Sequence, residues 1–74
     1  MHQQIIMDRT GDTRHEFKPD DKASVDAAMA RFAEMTKKGY VAIALSKDGS
    51  PGTLIRKFDP TVETTMFQPQ LVGG

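Results

Sequence analysis

Between residues 21 and 38, apolar side chains recur every three or four positions. Val25, Met29 and Phe32 carry the repeat, with Ala28, Ala33 and Met35 beside them. That period draws one apolar stripe down a helix, and the stripe must be buried against something. Five alanines between positions 23 and 33 favour the same conformation. Pro19 stops whatever precedes the helix, and Asp20 or Asp21 can accept its free N–H groups. Lys37 and Lys38 suit its negative end, and Gly39 suits the left-handed position that follows. A helix over 21–38 is therefore expected, with Met29 and Met35 in the core. Asp20, Asp21 and Asp26 are explained by capping and the helix dipole. They lack the spacing of a calcium loop.

The flanks read as strands. QQIIMDR (3–9) is followed by Thr-Gly-Asp, where Gly11 can take positive φ, and TRHEF (13–17) returns as a polar, charged edge. YVAIAL (40–45) alternates strictly. Val41, Ile43 and Leu45 share one face; Tyr40, Ala42 and Ala44 share the other. After the loop SKDGSPG, TLIRKF (53–58) reads as the fourth strand, ended by Asp59-Pro60. TVETTMF (61–67) is expected as a short extra strand or an ordered extension, and residues 68–74 as an extended, mobile tail.

Two hairpins flanking one helix predict a small α+β domain over 1–67, ββαββ, with the helix across one face of a four-stranded mixed sheet. If the first and last strands lie together in the middle, they run parallel in the order 2-1-4-3, the β-grasp layout. A fully antiparallel order stays open. The uncovered face would carry Tyr40, Ala42 and Ala44 as an apolar docking patch, which Ile6 and Ile55 could extend. On that expectation, Ala42→Glu or Ala44→Glu would spare the fold.

Composition narrows function mainly by exclusion. The chain has 74 residues, no cysteine, and ten acidic against ten basic side chains. No thiol chemistry is available, and a neutral balance disfavours binding to nucleic acid. No apolar run approaches the roughly 18 residues of a membrane span. MHQQIIMDRT lacks the layout of a secretion signal, so a cytoplasmic location is expected; a monomer is the expected state. His2 and His15 could hold a metal only with Asp8, Asp12 or Glu16, which strand alternation spreads over two faces. Ser46 and Ser50 read as turn formers. DGSPG (48–52) could cup an anion but precedes no helix. These observations predict no metal, no cofactor and no enzyme active site.

Three segments resemble ubiquitin and its relatives. TGDT (10–13) is similar to ubiquitin's first hairpin turn. EFKPDD (16–21) is similar to its strand exit and helix start. LVGG (71–74) resembles the ends of ubiquitin-like modifiers and of bacterial sulfur carriers. The match covers roughly the first third and the last four residues. Val72 stands where ubiquitin has arginine, and the longer segment before ubiquitin's last strand is missing. The resemblance implies a non-enzymatic carrier or modifier whose terminal carboxylate is activated by an ATP-dependent adenylating enzyme. Gly74 would react, Gly73 would give clearance in a narrow channel, and Leu71 and Val72 would be apolar handles for the partner. The competing expectation is a protein-interaction module working through its sheet face, with the glycines incidental.

Overall fold

The computed structural model describes residues 1–47 and 51–70. Its elements are β1 (His2–Asp8), β2 (Gly11–Phe17), α1 (Lys22–Lys37), β3 (Tyr40–Leu45), β4 (Thr53–Ile55) and β5 (Thr64–Pro69). The five strands form one mixed sheet in the order β2-β1-β5-β3-β4. β1 and β5 run parallel in its middle, and the other neighbours are antiparallel. The helix lies across one face.

The helix forms within one residue of its expected ends. The Asp21 carboxylate accepts from the Ala23 amide at 3.2 Å. At the other end the Lys38 amide donates to the Glu34 carbonyl, and Gly39, at φ +97°, donates to the Thr36 carbonyl. Lys22–Asp26 and Glu34–Lys38 add i,i+4 ion pairs on the exposed side. The buried stripe is narrower than expected: Ala28, Phe32 and Met35 are buried, while Met29 keeps 49% of its surface exposed.

The first hairpin turns through Arg9 and Thr10, because Asp8 pairs with Gly11. The Asp8 carboxylate holds this turn by accepting from both the amide and the hydroxyl of Thr10. Gly11 opens the return strand at φ +126°, a value other residues rarely adopt.

The second half departs from the four-stranded expectation. β4 is only three residues long and lies at the sheet edge. The chain bends away at Arg56 and Lys57 because Phe58 turns inward, with its ring 5.8 Å from Phe17 and 5.9 Å from Phe32. The Asp59 carboxylate then accepts from the Thr61 amide and hydroxyl, closing a turn. The strand beside β1 is therefore β5, from the stretch expected as an extension. The order 2-1-4-3 is replaced by one in which the fifth strand takes the central place.

β5 belongs there because its alternate residues fit. Thr65 and Phe67 are buried on the helix side, and the Phe67 ring stands 5.6 Å from Phe32. The strand also takes in Gln68 and Pro69, which the expected tail included. Pairing with β1 ends at Phe67. Pro69 thus lies where β5 has a neighbour on one side only, a place that tolerates a missing N–H.

The core joins Phe32, Met35, Ala42 and Phe67, with Ile6, Tyr40, Ile55 and Phe58 packed around them. Gln4 is enclosed at 0% exposure. Its amide group donates to the Ala28 carbonyl at 3.0 Å and accepts from the Arg31 guanidinium at 2.8 Å. A polar residue can be buried at that depth because its partners are present.

Candidate functional site

The two surfaces singled out in the sequence were the tail and the open sheet face. Leu71, Val72, Gly73 and Gly74 lie outside the described residues, as do Asp48, Gly49 and Ser50 of the DGSPG loop. What is described is the point of departure toward the tail. Gln70 donates its amide to the Gly39 carbonyl at 3.2 Å. Met7, Asp8 and Arg9 of the first hairpin and Gln68, Pro69 and Gln70 together line an open cleft of about 550 Å³. The chain therefore leaves the sheet from its central strand, beside the β1–β2 turn.

The open face is the opposite of the one expected. Ala42 is 1% exposed and packed with Phe32, Met35 and Phe67, so it faces the helix. Tyr40 and Ile55 pack on the same core, and Ala44 shares Ala42's side of β3. Tyr40, Ala42 and Ala44 thus do not form an uncovered patch, nor do Ile6 and Ile55, which also lie on the helix side. The physical reason is volume. The rings of Phe32 and Phe67 fill the space between helix and sheet, and only alanine leaves room beneath them.

Val41, Ile43 and Leu45 are turned outward instead. Ile43 pairs with Met66 on one side and Leu54 on the other, and Met66 pairs in turn with Ile5. These residues form an apolar row across the face turned from the helix, running from buried Ile5 through half-buried Met66 and Ile43 to Leu54, which is 54% exposed. Gly52 lies against the row, where an added Cβ would collide with the Ile43 side chain. Toward β2 the face becomes polar, with Arg14 and Asp12 3.4 Å apart.

The described titratable groups are spread over several places on the fold. His2 packs edge-on against Phe17 at 5.5 Å. His15 is half-buried on the helix side, in a cleft shared with Arg31, Glu34 and Lys38. Burial, and secondarily the Arg31 charge, push its pKa below the ordinary value. Asp8 and Asp59 are held below the usual carboxylate range chiefly by the hydroxyls of Thr10 and Thr61. Among the described residues no group of three or more histidine or acidic side chains could hold a metal ion. No described helix is long and apolar enough to cross a membrane.

Compared with protein families, curated proteins and solved structures, the chain has no significant match in any of the three. Its functional reading rests on its own residues.

Proposed function

We propose that this is a β-grasp domain that acts as a ubiquitin-like carrier or modifier, catalyses nothing itself, and offers Gly74 to an ATP-dependent adenylating enzyme. The observation that supports it most is the central parallel pair, β1 with β5, under a single crossing helix. In that arrangement the chain departs from the middle of the sheet after Pro69. The five residues from Gln70 to Gly74 can span at most about 17 Å. Such a reach suits a carboxylate that must enter another protein's nucleotide site. There the carboxylate oxygen would attack the α-phosphorus of ATP and expel pyrophosphate. A sulfur or amine nucleophile would then displace AMP. Leu71 and Val72 would be gripped by the partner, and Gly73 would let the backbone pass. This reading places the protein in the cytoplasm as a monomer, with ATP and the enzyme at hand.

The test begins with the intact mass of the native protein, which must correspond to a chain ending in the Gly74 carboxylate. Incubation with ATP and an extract of the native host should then yield the adenylate, a thiocarboxylate or a conjugate. Removal of Gly73 and Gly74 should abolish each product. A native chain that continues past Gly74, or one inert to ATP and extract, rejects the proposal.

A second reading is favoured by the apolar row of Ile43, Leu54 and Met66 on the uncovered face. It makes the domain a protein-interaction module, and Ile43→Glu should abolish partner binding with the fold intact.

A further inference from the structure

The edge of the sheet at β2 has no role in either reading. β2 has a neighbour on one side only, so half of its backbone groups face away from the sheet. Which half follows from β1. The Gln3 amide donates to the Glu63 carbonyl, on the β5 side. Backbone direction alternates along a strand, so the even-numbered residues of β1 point their N–H and C=O groups at β2. Their partners there are the odd-numbered residues. The backbone groups of Asp12, Arg14 and Glu16 therefore point outward, along an edge that no described strand covers.

The side chains of the same three residues lie on the face turned from the helix, and all are exposed. Their charges alternate in sign, and Lys18 continues the alternation. Charges of one sign on an edge repel a second strand, whereas alternating charges select a register. Two copies of β2 can lie antiparallel about a two-fold axis at His15. Arg14 of each copy then faces Glu16 of the other, and Asp12 faces Lys18. Every charge in the row meets its opposite. Arg14 and Glu16 also exchange both N–H···O bonds, because the backbone groups of both point outward. The ladder ends there, since the Ser24 hydroxyl takes the Lys18 amide and the Asp21 amide takes its carbonyl. An axis at Arg14 would set that residue against itself and Asp12 against Glu16. An axis at Thr13 would run Glu16 into the turn. On the helix side His15 meets its own copy. It shares a cleft with Arg31, Glu34 and Lys38, and burial, then Arg31, already favours its neutral form. The contact of Arg14 with Asp12 of its own strand is 3.4 Å long and exposed, so the guanidinium is free to turn to a second carboxylate.

We propose that a second copy of this chain pairs along β2, joining two sheets into one about an axis at His15. Such a contact is symmetric and closes at the dimer. A single ladder buries little surface, so the pairing is weak and the single chain prevails when dilute. It needs neither ATP nor Gly74, and β5, which leads to the tail, lies on the far side of β1 from the joined edge. Removing Gly73 and Gly74 should leave it unchanged, so this proposal and the tail reading fail separately.

Sedimentation equilibrium of the full chain from about 10 µM to 1 mM should show reversible growth from monomer to dimer. In the ¹⁵N-labelled protein, hydrogen exchange at the Arg14 and Glu16 amides should slow as concentration rises. Arg14→Glu and Glu16→Arg each set like charges across the axis and should weaken pairing by roughly tenfold or more. Mixed together, these two variants should pair with one another, because the acidic row of one faces the basic row of the other. The double reversal in one chain should restore self-pairing. Both positions are exposed, and circular dichroism confirms that each variant is folded. A single variant that pairs as well as the parent overturns the proposal, as does a mixture that fails to pair. So do a chain still monomeric at the highest concentration, assembly beyond the dimer, or protection centred on Ile43 and Met66.

Discussion

Gln4 carries more of the structure than its neighbours in sequence suggest. It ties the middle of the sheet to Ala28 and Arg31 of the helix, and its bond to the Ala28 carbonyl is buried from solvent. Gln4→Leu should therefore lower stability by about 1–3 kcal/mol in urea denaturation. Gln4→Glu, which keeps an acceptor for Arg31 but loses the donor to the Ala28 carbonyl, should also lower stability. Nothing in the sequence separates Gln4 from Gln3, since adjacent identical residues on a strand differ only in the face they take. His15 supplies a second test at this scale. Its folded pKa is lowered, chiefly by burial and then by Arg31, so the neutral imidazole is the form the fold prefers. Its contribution is full above the ordinary pKa of about 6.5 and is lost as pH falls below it. Thermal melts from pH 7.5 down to 5 should show this decline, and His15→Gln should flatten it in part.

Among the elements, β3 gives the sharpest contrast. Its limits were readable from YVAIAL alone, yet the side that meets the helix was not. The more apolar set, Val41, Ile43 and Leu45, looked like the core side. The alanines belong there because the large rings come from Phe32 and Phe67, one of which lies in a strand distant in sequence. Two substitutions should therefore behave oppositely. Ala42→Leu should overpack the core and cost about 1–3 kcal/mol, whereas Ile43→Glu, at a half-buried position turned from the helix, should keep the circular dichroism spectrum and lower the melt only modestly. The acidic substitution at Ala42 that the sequence seemed to permit should prevent folding. The helix was legible, caps included, because its signals are local. The choice between 53–58 and 64–69 for the central place was not, because both are short runs and Phe67 decides it by long-range packing.

At the scale of the molecule, the parallel middle pair joins residues some sixty positions apart, Gln3 to Thr64 and Ile6 to Phe67. Contacts this distant in sequence make folding slow for the size of the chain. A domain this small also has little stability to spare. Two hairpins about a helix were visible in the sequence as local patterns, but the partner of each inner edge was not, since pairing depends on the whole chain.

The position of β5 has one more consequence. β1 and β3 present unpaired inner edges to one another until the last strand slides between them, so the protein is divisible at the turn near Pro60. A fragment of residues 1–60 should remain open and poorly ordered alone. A separate peptide of residues 61–74 should restore it by supplying the missing strand, measurable as a two-component recovery of helical signal. Phe67→Ala in the peptide should defeat this rescue. The domain would then serve as a reconstitutable pair, each half reporting the arrival of the other.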